Sequence, residues 1–289
     1  ARDVEIDLKW QGQLLSEGRV YIYGEQKTSW TTVAQTCDHC KTLVVNECNG
    51  WKVGDNIVLV GTGNGEHRFM APYTTETRRI QSINGCTITV DRNADNIYQN
   101  ELYQDRIQIV SEVLNMDRSV KFVGQEIRTR QQFSGIMKVH HTKISNCGIK
   151  NQLGEYCMHF HHVGSCPGCS FVGNAVGWPG INKALTIHGT NNALVEGNAV
   201  YDHKGAYIYL EDGSETGNII KDNALVCPTM AGCNLCDGVP EQIRGDCHEQ
   251  SGVYAISPYN DFVGNHIAGH ENALFHDQSA GGAKTWGGG

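Results

Sequence analysis

Short runs in which apolar and polar residues alternate recur along the second half of the chain, and turn residues separate them. The segments ALTIHGTNNALVEGNAVYDH and AYIYLEDGSETGNIIKDNALV, which begin at Ala184 and Ala206, show the pattern clearly. Each reads as an alternating strand, a turn, a second apolar piece, a Gly-Asn or Asp-Asn pair and another short strand. A period of two residues, with no helical period between the strands, predicts β-structure.

The asparagine of each unit marks a repeat of roughly 25 residues, which indicates a solenoid. One such unit cannot bury its apolar face alone, but stacked units form a continuous core. We therefore predict an all-β fold, a right-handed parallel β-helix, in which the asparagines stack from coil to coil. The repeating asparagines are Asn146, Asn174, Asn198, Asn223 and Asn265.

The repeat also predicts the domain organisation. Residues 1–118 are β-rich but less regular, and we expect them to form a capping region, because a solenoid needs its open ends covered. Residues 119–277 form the coils, with a Cys-rich insertion at residues 227–247. Residues 278–289 read as a Gly-rich tail.

Aligning the coils on their strands gives one column of titratable side chains. The inward position of the alignment holds Val139, Phe160, Ile187, Leu210, Ile256 and Phe275. The next residue points outward, because side chains alternate between the two faces of a strand. That outward column holds His140, His161, His188, Glu211, Ser257 and His276, with His159, His141, His162 and Asp212 beside it.

Such a column favours one of three uses: a metal site, a general acid and base for a bound polysaccharide, or a polar outer face without chemistry. The predicted ligands of a divalent metal of unspecified identity are His140, His161, His188 and Glu211. The predicted catalytic residues are Glu211, Asp212 and His188. Neighbours on one strand point to opposite faces, so Glu211 and Asp212 can act together only if a turn intervenes.

Aromatic and imidazole rings elsewhere in the coils are candidates for binding sugar rings. We predict Trp178, Tyr209 and His203 as substrate-binding residues. Each has a structural alternative: His203 lies at a turn, where polar residues are expected, and Tyr209 can simply extend the outer face of a strand.

The formal net charge of −8 disfavours nucleic acid as a partner. No apolar run approaches the length of a transmembrane helix, and no signal peptide is visible at Ala1. The 12 cysteines are spread along the chain, and three pairs have CxxC spacing. This pattern favours local or coil-to-coil disulfides over a zinc ribbon, and with them an extracellular location.

The motifs IHGT, YDHKG and LEDG, together with YCMHFHHVG and the upstream stretches KTSWTTVAQT and WKVGDNIVLVGT, carry a resemblance. The chain resembles the extracellular family of cell-surface hyaluronidase and cell-migration-inducing hyaluronidase, and more distantly the fibrocystin-like proteins. The resemblance implies an eight-glycine domain, here a truncated one at residues 1–118, that runs into a right-handed parallel β-helix. It also implies hyaluronan binding or depolymerisation in some members and a surface or coat role in others.

Two functions of different classes follow. The first is a secreted or cell-surface protein that binds a polysaccharide along the titratable column and depolymerises it, with metal assistance in view of the number of histidines. The second is a non-catalytic module of an extracellular coat, filament or surface appendage that associates with other copies or belongs to a longer chain. The repeats, the many glycines and the many cysteines suit the second alternative as well as the first.

Overall fold

The computed structural model describes residues 3–62, 75–130, 135–150, 152, 154–228, 251–270 and 272–276. These residues divide into two compact units, residues 1–24 with 118–289 and residues 25–117. Residues 1–24 group with the coils and not with residues 25–117. The predicted tail at 278–289 and most of the predicted insertion lie outside the described residues.

Every regular element of the described residues is a β-strand, and none of these residues forms a helix long and apolar enough to cross a lipid bilayer. In chain order the first strands are β1 (Val4–Ser16), β2 (Arg19–Tyr23), β3 (Trp30–Thr32), β4 (Cys37–Asp38), β5 (Thr42–Val44), β6 (Asn56–Leu59), β7 (Glu76–Asn84), β8 (Thr87–Val90), β9 (Ile97–Tyr98), β10 (Asn100–Tyr103), β11 (Ile107–Val110) and β12 (Glu112–Asn115). They are followed by β13 (Val120–Arg130), β14 (Ile136–His140), β15 (Thr142–Ser145), β16 (Met158–Ser165), β17 (Ser170–Val172), β18 (Ala175–Ile181), β19 (Leu185–Asn191), β20 (Leu194–Glu196), β21 (Ala199–Lys204), β22 (Ile208–Leu210), β23 (Ile219–Lys221), β24 (Ala224–Val226), β25 (Ser251–Ala255), β26 (Asp261–Val263), β27 (His266–Ala268) and β28 (Asn272–His276).

The first unit is a parallel β-helix with three strands in each coil, which confirms the predicted fold. Its first face stacks β13, β16, β19, β22, β25 and β28, all paired in parallel. Its second face stacks β2, β14, β17, β20, β23 and β26. Its third face stacks β13, β15, β18, β21, β24 and β27, since the long strand β13 takes part in two faces and also pairs with β1.

The interior of the β-helix is one continuous apolar cluster that every face contributes to. Phe160 of the first face and Phe171 of the second face stack with ring centroids 3.8 Å apart, and both side chains are fully buried. Ile187 and Leu210 continue the interior row of the first face in the next two coils. Stacking of coils thus buries an apolar stripe that no single coil could cover, as solenoids require.

A ladder of asparagine side chains, buried in every coil but the last, joins consecutive coils. Asn174 Nδ2 donates to Asn198 Oδ1 over 3.0 Å, Asn198 Nδ2 to Asn223 Oδ1 over 2.9 Å, and Asn223 Nδ2 to Asn265 Oδ1 over 2.8 Å. The predicted first member, Asn146, is not part of it, because the asparagine row meets the earlier coil at Thr142, whose N–H donates to Asn174 Oδ1. The ladder fixes the register between coils at one corner.

The second unit is built from antiparallel pairs. Its largest sheet has the strand order β3-β12-β6-β7-β8-β5, and a separate apolar cluster that includes Ile57, Ile80 and Ile88 fills it. Lys27 Nζ and Asp55 Oδ2, both nearly buried, form an ion pair of 2.6 Å. A β-rich N-terminal region is therefore present, as predicted.

The cysteines that the structure describes are in disulfides. Two CxxC pairs close on themselves, Cys37 with Cys40 and Cys166 with Cys169. Cys48 bonds to Cys86, and Cys147 bonds to Cys157. The third CxxC pair, at 233–236, lies outside the described residues. The described part of the chain thus bears out disulfides over a zinc ribbon.

Candidate functional site

The site lies on the outside of the first face, where alternation along β16 turns two imidazoles outward. Met158 and Phe160 belong to the apolar interior. His159 and His161 alternate with them and therefore point away from the interior. In the next coil His188 lies beside His161, because the two residues are partners in the parallel pairing of β16 and β19.

The next coil brings two carboxylates to the same place. Ile187 pairs with Leu210, the last residue of β22, so Glu211 follows beside His188. The strand ends there and the chain turns, with Gly213 at a φ of 75°. Since strict alternation stops at Leu210, Asp212 does not point to the opposite side, and the condition for Glu211 and Asp212 to act together is met.

The imidazole of His188 lies between these two carboxylates. Its Nδ1 is 3.2 Å from Glu211 Oε2, and its Nε2 is 3.1 Å from Asp212 Oδ2. Burial alone would lower the pKa of His188, but the hydrogen bond to Asp212 and the charges of Glu211 and Asp212 outweigh burial and raise it. Burial opposes the shift at Asp212 too, but the hydrogen bond and charge of His188 lower the pKa of that carboxyl.

A buried glutamate that the sequence did not single out holds this turn in place. Glu215 is fully buried, and its Oε1 accepts the N–H groups of Gly189 at 3.1 Å and Asp212 at 2.9 Å. Gly189 has a φ of 51°, and a Cβ there would lie 2.5 Å from His162 Nδ1. Glycine after His188 therefore lets His162 approach.

Four imidazoles from two adjacent coils are packed together. The ring centroid of His188 is 4.9 Å from that of His161 and 3.9 Å from that of His162. The rings of His159 and His161 are 4.9 Å apart. Two overlapping sets place their ligand atoms within 4.8 Å of one another: His159 with His161 and His188, and His162 with His188 and Asp212. Both sets suit a divalent cation.

Glu126 of β13 fixes the orientation of His159. His159 Nδ1 is 3.1 Å from Glu126 Oε1, and neither side chain is exposed to solvent. Arg128 Nη1 lies 3.6 Å from the other carboxylate oxygen of Glu126. Burial, with smaller contributions from His161 and His188, holds the pKa of His159 well below its usual value. His159 is therefore a neutral imidazole with one nitrogen committed to a carboxylate.

Tyr156 covers the inner end of the cluster. Its hydroxyl donates to Glu211 Oε1 over 3.2 Å, and its ring centroid lies 4.8 Å from that of His159. The disulfide between Cys147 and Cys157 closes the loop that carries Tyr156. Tyr156 and Glu126 fall outside the repeating column, so the alignment of the coils did not single them out.

Of the predicted metal ligands, the structure brings His161, His188 and Glu211 together but separates His140 from them. His140 belongs to β14 of the second face, where it pairs with Val172 and its Nε2 is 2.7 Å from Ser170 Oγ. Its inclusion was wrong because each coil has three strands, and Val139–His140 occupies the second strand of a coil and not the first.

The predicted alignment was also wrong by one residue in each of the last two coils. Leu210 pairs with Ala255, and Ala255 pairs with His276. Ser257 therefore lies beyond the column, and Phe275 aligns with Tyr254 on the outer side.

The three predicted substrate-binding residues occupy different surroundings. His203 is fully buried on the third face, and its Nε2 lies 3.3 Å from the carbonyl oxygen of Asn182, so it offers no surface to a substrate and that prediction was wrong. Tyr209 is on the first face but only 4% exposed, stacked on Tyr254 with centroids 5.1 Å apart. Trp178 is half-buried on the third face, 6.0 Å from the ring of Tyr201, and stays a prediction.

The fold and the site define a class: a parallel β-helix whose first face carries a cluster of imidazoles and carboxylates on its outside. The chain belongs to the CEMIP beta-helix family, whose model matches residues 122–281. These residues are more than half of the chain and include every residue of the cluster. The resemblance read from the sequence is confirmed.

Curated relatives match most of this chain at modest identity. Fibrocystin-L of Homo sapiens is 27% identical over 305 residues, which cover 88% of this chain and 7% of the relative. Cell surface hyaluronidase CEMIP2 of Homo sapiens is 23% identical over 331 residues, which cover 93% of this chain and 23% of the relative. Protein rliB of Dictyostelium discoideum is 24% identical over 273 residues, which cover 87% and 23%. The chain spans less than a quarter of the length of these relatives.

Among solved structures, the Gp54 tailspike of Acinetobacter baumannii bacteriophage AP22, solved with a capsular saccharide, is similar with a TM-score of 0.27 and 9% identity. The similarity covers 77% of this chain and 45% of that chain. A TM-score this low carries no argument about the present chain.

Proposed function

We propose that this chain is an extracellular carbohydrate-active protein that binds a polysaccharide across the first face of the β-helix and depolymerises it. The observation that carries the proposal is His188 held between Glu211 and Asp212 at a partly exposed turn. The side chains of these three residues are 13–18% exposed, so they are ordered by their contacts and still reachable by a ligand.

The arrangement supplies the groups that glycoside cleavage needs. Asp212, whose carboxylate lies 3.1 Å from the imidazole of His188, suits the role of a base toward water or of a negative charge against the developing positive charge of the sugar. Glu211, bound by Tyr156 and by His188, holds the imidazole in position. A divalent metal beside His161 and His188 is part of the proposal, since it would polarise the scissile bond or a water.

The relatives support the class of substrate. The human relative CEMIP2 is named a cell surface hyaluronidase, as is a relative from Danio rerio that is 20% identical over 313 residues. Hyaluronan is therefore the first polysaccharide to test. The extracellular location is supported by the same names and by the disulfides, which persist in oxidising compartments.

The test is incubation of the purified chain with hyaluronan and with neutral and sulfated polysaccharides, followed by light scattering to measure chain length and by a separate binding assay. We expect the wild type to shorten one of them, Asp212→Asn to bind it without shortening it, and His140→Gln, on another face, to behave as the wild type. Binding without cleavage by the wild type would overturn the depolymerising role. If the wild type neither binds nor cleaves any of the polysaccharides, the carbohydrate role is overturned as well.

A second candidate is a structural module without catalysis that associates with further copies. The outside of the second face favours it at the first coil, where Tyr21 is 50% exposed, Tyr23 is 56% exposed and their rings stack with centroids 6.5 Å apart. Exposed apolar side chains aligned on one face are typical of an interaction surface. Sedimentation of the wild type and of a Tyr21→Ser/Tyr23→Ser variant tests it: concentration-dependent assembly that the variant loses supports this candidate, and a wild type that stays monomeric contradicts it.

A further inference from the structure

We propose that His159, His161 and His188 together hold one divalent transition-metal ion of the zinc class. This inference rests on the proposed function because it concerns the same site. It adds the class of the ion and the residues that bind it. It differs from the set expected from sequence, because it replaces His140 by His159 and makes Glu211 a residue that positions a ligand.

The three imidazoles have the geometry for a shared ion. One ring nitrogen of each lies within 4.8 Å of those of the other two. In a tetrahedral zinc site with bonds of about 2.0–2.1 Å, ligand atoms are roughly 3.3 Å apart, so small side-chain rotations would close the set. The stacked coils provide the framework, with His159 and His161 on β16 and His188 on β19.

His159 supplies an independent observation. Its side chain is fully buried, and its Nδ1 faces Glu126. The other nitrogen, Nε2, is buried and makes no hydrogen bond to the described residues. A buried polar atom without a hydrogen bond needs a partner, and an ion bound between His159 and the adjacent imidazoles would supply one.

Carboxylates behind two of the imidazoles complete the pattern of a metal centre. Glu126 faces His159 Nδ1, and Glu211 faces His188 Nδ1 at 3.2 Å. Histidine ligands of metals usually donate their second ring N–H to a carboxylate or carbonyl, which fixes the tautomer and the ring orientation. His159 and Glu126 meet this relation with a hydrogen bond, and Glu211 lies at ion-pair distance from His188, which distinguishes this cluster from a polar surface patch.

The donor atoms indicate the class of metal. Imidazole nitrogen suits zinc, copper, nickel and iron, whereas calcium and magnesium prefer oxygen ligands. Three imidazoles with carboxylates nearby leave room for water or a substrate oxygen at a further position, as catalytic zinc sites do. We therefore expect zinc or cobalt to bind, and calcium not to compete.

The experiment is isothermal titration of the EDTA-treated, dialysed protein with zinc, cobalt and calcium. We expect one zinc per chain, no saturable zinc binding in His159→Gln or His161→Gln, and affinity within a few-fold of wild type in His162→Gln and His140→Gln. Glu126→Gln should weaken zinc by about 10–100-fold. Circular dichroism checks that each variant folds. If His159→Gln does not fold, His161→Gln still tests the proposal, because His161 is partly exposed and its replacement disturbs the interior less.

Three results would overturn the proposal: no zinc bound by the folded wild type, calcium bound instead of zinc, or binding lost in His162→Gln and kept in His159→Gln. The last result would place the ion in the set of His162, His188 and Asp212. Zinc bound as expected by a protein that leaves every polysaccharide intact would refute the proposed function and support the metal site. Polysaccharide cleaved by a metal-free protein that binds no zinc would do the reverse.

Discussion

Replacing Asn198 by alanine should destabilise the β-helix strongly, because its side chain makes four buried hydrogen bonds. Its Oδ1 accepts from Asn174 N at 2.9 Å and Asn174 Nδ2 at 3.0 Å. Its Nδ2 donates to Phe171 O at 3.0 Å and Asn223 Oδ1 at 2.9 Å. Each hydrogen bond is worth about 1 kcal/mol, and a buried group left unpaired costs about 1–3 kcal/mol. We expect a loss of about 3–5 kcal/mol.

Urea unfolding followed by circular dichroism measures the loss, with Asn191→Ala as the matched control. Asn191 also bonds to the next coil, accepting Thr216 N at 2.7 Å, but that bond is exposed and water can replace it. The control should lose less than about 1 kcal/mol. Equal, small losses in both variants would refute the idea that the asparagine ladder sets the register of the coils.

Three further predictions concern the surroundings of the site and the second face. Tyr156→Phe removes the hydrogen bond to Glu211 and should lower the unfolding free energy by about 1 kcal/mol in thermal melts, while an unchanged melt would show that this bond is not made. Cys147→Ala/Cys157→Ala opens the loop that carries Tyr156 and should cost about 2–4 kcal/mol, again measured by unfolding; no loss would contradict the loop's ordering. Burial, with the charges of its neighbours, lowers the pKa of His140 to about 4, so the unfolded chain binds more protons between pH 4 and 6.5. Stability should therefore rise with pH across that window, less steeply in His140→Gln, and NMR titration of His140 near pH 6.5 would contradict this.

The coil architecture could be predicted from sequence because the repeat of strands, turns and asparagines is local information. His161, His188 and Glu211 were predicted to be neighbours for the same reason, since each follows an interior residue of the first-face strand of its own coil. His140 did not, because Val139–His140 and Phe160–His161 show the same alternation. Only the number of strands in a coil separates these two pairs into different faces.

Residues that act from outside the repeat could not be predicted. Glu126 reaches His159 because β13 pairs with β16, and Tyr156 reaches Glu211 through a loop closed by a disulfide. His203 had the polarity expected at a turn, but burial within the third face was not visible in its local sequence. Long-range register and loop placement therefore limit sequence reasoning at this site.

A crystal structure of the protein soaked with zinc, with diffraction data collected on both sides of the zinc absorption edge, would show whether stacking of the coils gathers His159, His161 and His188 into one functional centre. We expect one anomalous peak within bonding distance of all three imidazoles, with Glu126 and Glu211 behind them. No peak there, or the three imidazoles on different faces of the β-helix, would contradict the proposed centre.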